Sequence, residues 1–100
     1  AELRYLRGVL LWAAGRDAEA ARELRRALYL DPSLAAVHFV LGSVLDRSGD
    51  MEGARRAFRN ALSIAEACPP DGAAPLADGE TFTRLAGAAR ARLELLEEKP

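Results

Sequence analysis

Cysteine and histidine are almost absent from this chain, which carries Cys68 and His38 and no others of either type. A lone cysteine closes no intrachain disulfide and fits a reducing compartment, so a cytoplasmic location is expected. One histidine and one cysteine exclude the paired ligand spacings that hold zinc. Aromatic residues are only 6% of the chain and β-branched residues are few, so a strand-rich fold is a poor reading. Neither sign of charge dominates: 14 basic residues face 15 acidic ones, for a formal net charge of -1. No global field therefore favours nucleic acid or an anionic membrane. The longest apolar run near the start, Val9 to Ala14, is too short to span a bilayer. Arg4 and Arg7 before it give it the faint outline of a signal peptide, but Glu2 and the surrounding periodicity suit a helix of the mature chain better. No glycine-rich phosphate-cradling motif and no catalytic constellation is present, so this chain is expected to be no enzyme. The sequence starts without Met, and the expectation is that it is a piece of something longer.

What the chain has is alanine and leucine. Half of its 100 residues are hydrophobic, in a composition that favours helix and a length that allows one domain. Sliding the sequence against itself by 34 residues brings like onto like. Gly8 falls on Gly42, Leu11 on Leu45, Gly15 on Gly49, Ala20 on Ala54 and Ala27 on Ala61. Arg22 falls on Arg56, Arg25 on Arg59 and Leu28 on Leu62. Glycine inside a helical pattern costs roughly 1 kcal/mol against alanine, which is tolerable where another helix must approach closely. Gly15 and Gly49 fall where a first helix ends and can take the left-handed conformation of a C-cap.

Five helices are predicted, over about 2–14, 17–30, 33–47, 51–67 and 80–98. Asp31-Pro32 is the joint between two units, because proline disfavours helix in the residue before it and suits the start of the next helix. Gly49-Asp50 is the joint inside the second unit. Residues 1–67 thus hold two 34-residue units, and 68–79 a Pro/Gly-rich loop. A fifth helix over 80–98 does not repeat the unit. Phe82, Leu85, Ala86, Ala89, Leu93 and Leu96 share one face of it, Asp78 suits its N-cap, and Glu80 favours its first turn. Its outer face would carry Arg84, Arg90, Arg92, Glu94 and Glu97, as a terminal cap on stacked repeats requires.

The period and the slots resemble the tetratricopeptide repeat, whose pattern runs W-x2-L-G-x2-Y, then A-x3-F, then P. The second unit reads His38, Leu41, Gly42, Leu45, Ala54 and Phe58 in those slots, and the first reads Gly8, Leu11, Ala20, Leu24 and Pro32. Arg4 and Arg7 stand where Trp and Leu are usual, which suggests that the array begins here, and the second unit has no closing proline before Pro69. The resemblance implies an all-α fold: two helix-turn-helix repeats in a right-handed solenoid plus a C-terminal capping helix. It also implies a non-catalytic protein–protein interaction module.

A narrower resemblance rests on Ala27 to Pro32, His38-Phe39, Leu41-Gly42, Phe58 to Leu62, and Asp78-Gly79 before the last helix. These look like the repeat tail of the chemotaxis methyltransferases, which methylate chemoreceptor glutamates using S-adenosylmethionine. The resemblance implies a regulatory tail whose partner is a chemoreceptor or the parent's catalytic domain, with no cofactor in this chain. The alternative is a free-standing repeat adaptor with no enzymatic parent.

In stacked pairs of this kind the first helices line a concave surface. Tyr5, Val9 and Trp12 share one face by their spacing of four and three, and Phe39, Ser43, Asp46 and Arg47 would continue it. Aromatic anchors in a groove suit a protein or peptide partner. The plainer alternative is that Trp12 packs on its own hairpin. Lysine and asparagine do not line this surface, so it does not resemble the repeat domains that clamp a terminal carboxylate. His38 occupies an apolar slot and is expected to be a packed histidine satisfying a nearby backbone or carboxylate group. Arg22, Arg25, Arg26, Arg55, Arg56 and Arg59 cluster on the second helices, where they could hold phosphate or an acidic partner. The expectation for them is a solvated face balanced by Glu19, Glu23 and Glu52. No aromatic residues interleave them, which argues against RNA, so neither nucleic acid nor membrane is expected as a partner. Self-association through an exposed stacking face, giving a homo-oligomer, is left open.

Overall fold

The structure is a computed structural model that describes residues 1–77 and 79–98. Five helices follow one another: α1 (Glu2–Ala13), α2 (Asp17–Leu30), α3 (Ala35–Ser48), α4 (Met51–Glu66) and α5 (Phe82–Glu98). α1 pairs with α2 and α3 with α4 as two helical hairpins. α2 packs on α3 between the hairpins, and α5 covers α4. The fold is thus an all-α stack of two repeated hairpins closed by a C-terminal helix.

The 34-residue period reappears in the backbone. Gly15 and Gly49 both have positive φ, at 79° and 92°. Each closes its helix with the same pair of bonds. Gly15 N–H donates to the Trp12 carbonyl at 3.0 Å and Arg16 N–H to that of Leu11 at 2.9 Å. Gly49 N–H donates to the Asp46 carbonyl at 3.1 Å and Asp50 N–H to that of Leu45 at 2.9 Å. A residue with a Cβ resists that left-handed turn, so glycine recurs at this place in both units. Asp50 then caps α4, its carboxylate accepting from Gly53 N–H at 2.9 Å.

Two helix starts lie later than the sequence pattern predicts. α3 begins at Ala35 and not Ser33, because Asp31 gathers the chain into a turn first. Its Oδ1 accepts from Ser33 N–H at 3.1 Å and from Ser33 Oγ at 2.6 Å. α5 begins at Phe82 and not Glu80. Thr81 makes its cap, Oγ1 accepting from Arg84 N–H at 3.2 Å. The expected cap, Asp78, lies outside the described residues. Before Thr81 the loop is held by a β-bridge between Ala73 and Thr81. Ala74 N–H donates to the Glu80 carbonyl at 2.9 Å and Phe82 N–H to that of Gly72 at 3.1 Å.

The core is large on small. Phe58 and Leu24 are fully buried, and each lies against a glycine of its partner helix. A Cβ built on Gly42 would stand 2.8 Å from the Phe58 ring, and one on Gly8 2.8 Å from the Leu24 side chain. Ala20, Ala27, Ala54 and Ala61 are each 0% exposed and keep the second helices close. Of the two arginines of α1, Arg7 is exposed. Arg4 turns inward to Glu23 of α2 at 3.2 Å. The outward face is aliphatic: Leu3, Leu6 and Leu10 are exposed, although the equivalent Val37 and Val44 of α3 are buried on α2. Two of the residues expected on the outer face of α5 reach other elements, Arg90 while remaining exposed. Arg90 bonds to Glu66 of α4 at 2.9 Å, and Arg92 lies over Phe39.

The glycine contacts yield a paired test. Gly42→Ala forces a methyl into a rigid buried ring, and a loss of about 1–3 kcal/mol is expected. Gly87 of α5 has nothing within 4 Å of the added methyl, so Gly87→Ala should gain about 0.5–1 kcal/mol by helix propensity. Urea unfolding of the two variants checks both signs; equal effects would refute the close-approach role of Gly42.

Candidate functional site

The concave surface is not one continuous trough. The loop between α4 and α5 crosses it as a strap. Ala74 is buried against Ala35 and Ala36 at the start of α3, and Ala77 packs beside them. Leu76 reaches α1, where it lines a cavity of about 350 Å3 with Glu2, Tyr5, Leu6 and Val9. Leu76 has φ of 63°, the one non-glycine residue with positive φ among the described residues. A leucine there costs on the order of 1–2 kcal/mol, so surrounding contacts hold it in place. Sequence reasoning missed Leu76. The available signal was that it is the one large aliphatic residue of 68–79.

Five of the seven candidate groove residues fall into three groups, and Asp46 and Ser43 stand outside them. Tyr5 and Val9 are half-buried and share the cavity with Leu76. Phe39 is half-buried at the middle, edge-on to Phe58 with centroids 5.4 Å apart. The Arg92 guanidinium lies 5.8 Å from its ring centroid. A second depression of about 440 Å3 opens beside it, lined by Phe39, Glu80, Arg84, Leu85 and Ala88. Trp12 and Arg47 form the third group. Arg47 Nη2 donates to the Trp12 carbonyl at 2.6 Å, and its guanidinium carbon stands 5.5 Å from the Trp12 ring centroid. Arg47 also grips Asp17 with two hydrogen bonds, the Nε one at 3.0 Å. It thereby ties α3 to the start of α2. Asp46 is half-buried and engaged in contact. Ser43 is only 6% exposed, and its hydroxyl donates to the Phe39 carbonyl at 3.2 Å, so it offers nothing to a surface groove. Trp12 packs against the core, and its buried Nε1–H has no acceptor among the described residues. It lines neither concave cavity.

His38 is half-buried, with Nε2 placed to donate to the Pro32 carbonyl at 2.9 Å. It fastens α3 to the joint before it. The carboxylates expected to balance the arginines of the second helices reach two of the six, Arg26 and Arg55. Glu23 is buried and accepts from Arg4 at 3.2 Å and Arg26 at 3.1 Å. Glu19 pairs with Arg16 and Glu52 with Arg55. Among the described residues no group of three or more His, Cys, Asp or Glu could hold a metal ion, and no helix is long and apolar enough to cross a membrane.

Three carboxyls are held below their ordinary range. For Asp17 the main cause is the hydrogen bond from Arg47, and for Asp31 it is the hydroxyl of Ser33. Burial alone would raise Glu23, but the bond from Arg4 and the charges of Arg4, Arg26 and Arg7 outweigh it. Groups depressed on folding add stability above their unfolded pKa and lose it as pH falls through the folded value. Stability in urea should therefore be level from neutral pH to about 5 and drop below about 4, the ordinary carboxylate range. Asp17→Asn should flatten that drop; an unchanged acid limb would remove Asp17 from the account. Trp12→Phe deletes an unpaired buried N–H while keeping an aromatic ring, so a change within about 1 kcal/mol is expected. A loss well beyond that in the same assay would mean that the indole ring is held by packing or pairing stronger than these contacts.

The chain was compared with known protein families. The family model described as tetratricopeptide repeat matches residues 1–34 and again 35–68. No curated protein gives a significant match. The two matches meet at the joint between the hairpins, after the Asp31 turn and before α3. Two adjacent matches spanning more than half of the sequence, on two stacked helical hairpins, place this chain in the tetratricopeptide-repeat family.

Proposed function

We propose that this chain is a non-catalytic module that binds a peptide segment of another protein on its concave surface, either side of the 68–79 strap. Repeats of this family generally mediate contacts between proteins. The observation that supports the concave surface is the pair of apolar depressions of about 350 and 440 Å3, one bordered by Tyr5 and Val9 and the other by Phe39. A half-buried aromatic ring beside an unfilled apolar dent suits an anchoring side chain of a partner. Such a partner would approach two short sites and not one long trough.

The finer reading is that the chain is the regulatory tail of a chemoreceptor glutamate methyltransferase. It draws on the elements at Ala27 to Pro32, Phe58 to Leu62 and the loop-plus-helix ending. S-adenosylmethionine would then bind in the parent's catalytic domain, and the tail would position a chemoreceptor or that domain. Its place would be the cytoplasm.

Two measurements test this. Deleting the repeat segment from the methyltransferase should change the methylation rate or the choice of glutamate; unchanged methylation would sink the regulatory-tail reading. Val9→Glu puts a charge into the α1 cavity and should weaken binding of a chemoreceptor cytoplasmic fragment at least about tenfold, with helical circular dichroism retained. Binding that survives Val9→Glu would move the site off the concave surface.

A further inference from the structure

The second helices carry an arginine set that the fold leaves unneutralised. Seven other arginines have a carboxylate within salt-bridge distance: Arg4, Arg16, Arg26, Arg47, Arg55, Arg84 and Arg90. Arg22 and Arg25 of α2 and Arg56 and Arg59 of α4 have no such partner among the described residues, and all four are exposed. They are related in pairs by the 34-residue period, 22 with 56 and 25 with 59. The acidic residues nearest them in sequence are committed elsewhere, Glu23 by burial and Glu19 and Glu52 to Arg16 and Arg55.

Arg25 of α2 and Arg56 of α4 flank α3, which lies between their helices. They line one cleft of about 210 Å3, with an apolar floor of Leu28, Leu41 and Leu45 and with Asn60 at its side. A second depression of about 280 Å3 shares Asn60 and His38 with the first and extends it past Pro32 and Ser63. The result is a track with two guanidinium groups, then aliphatic carbon, then amide and hydroxyl groups. A guanidinium offers a planar fork of donors that matches a carboxylate. Two on one cleft, on a molecule of net charge -1, make a local anion site and not a general field. No Phe, Tyr or Trp lines either depression, and the one aromatic side chain there, His38, is engaged with the Pro32 carbonyl.

We propose that the α2–α4 cleft binds an acidic, leucine-containing peptide segment of a partner protein. Its carboxylates pair with Arg25 and Arg56, and its aliphatic side chain rests on the leucine floor. This surface is separate from the concave one and does not depend on it.

The probe is a fluorescein-labelled Glu-Glu-Leu-Glu-Glu-Leu peptide, followed by anisotropy at low ionic strength. Arg25→Ala and Arg56→Ala should each weaken binding about three- to tenfold, and added salt should weaken the wild-type complex more than either variant. Both positions are exposed on helices and alanine favours helix, so the fold should persist. Arg90→Ala, on α5, should leave binding unchanged. The charge-reversed pair Arg25→Glu and Arg56→Glu should lose the acidic peptide and gain a Lys-Lys-Leu-Lys-Lys-Leu peptide. In amide NMR spectra the acidic peptide should shift Leu28 and Asn60. No binding at low ionic strength, equal binding by the double alanine variant, or shifts centred on Tyr5 and Val9 would each overturn the proposal. Displacement of the peptide by a tighter-binding oligouridylate would also overturn it, by making the cleft a nucleic-acid site.

Discussion

A phenyl ring resting on a glycine sets the spacing of this molecule. Phe58 of α4 is fully buried against Gly42 of α3, and no side chain could stand where that glycine is without displacing the ring. Leu24 and Gly8 repeat the arrangement in the first hairpin. The close approach brings the alanines of the second helices within reach of both neighbours, so small residues carry the stack and large ones fill only the hairpin centres. Phe58 also passes the contact on. Its ring meets Phe39 edge-on, and Phe39 lies under Arg92 of α5. One buried ring therefore connects the second hairpin, the concave surface and the closing helix.

Charge follows the same economy. Where the first hairpin has arginine in a slot that usually holds an aromatic, α2 supplies a buried carboxylate to receive it. Arg4 and Glu23 stand thirty-four residues before His38 and Ala57, so a polar pair in one unit replaces an imidazole and a methyl in the other. Breaking such a pair leaves a buried charge uncompensated, which couples the two positions tightly. Arg47 and Asp17 tie the hairpins together in the same way across thirty residues. These pairings consume the carboxylates near the second helices and leave Arg22, Arg25, Arg56 and Arg59 facing outward.

The strap changes what the concave side can do. A bare surface lined by first helices would suit an extended peptide along its whole length. Here Ala74 covers the start of α3 and Leu76 reaches α1, on a loop held by the Ala73–Thr81 bridge. Two separated depressions remain, and the residues beside them come from α1, α3, α5 and the strap itself. The closing helix and its loop thus shape the concave surface as well as cover α4.

The sequence alone determined the elements that local chemistry controls. The 34-residue period, the left-handed glycines at 15 and 49, the break at Asp31-Pro32 and the apolar face of α5 are all written in residue type and spacing. They are legible because a helix end or an amphipathic face depends on neighbours a few residues away. Only the tertiary structure decided which way Arg4, Arg92 and Arg47 turn, that Ser43 is buried, and that Leu76 lies on α1. These contacts join residues far apart in the chain, and no periodicity records them. The balance of the arginine face belongs with them: Glu23 is shared between Arg26, three residues away, and Arg4, nineteen residues away, and helix spacing foretells only the first.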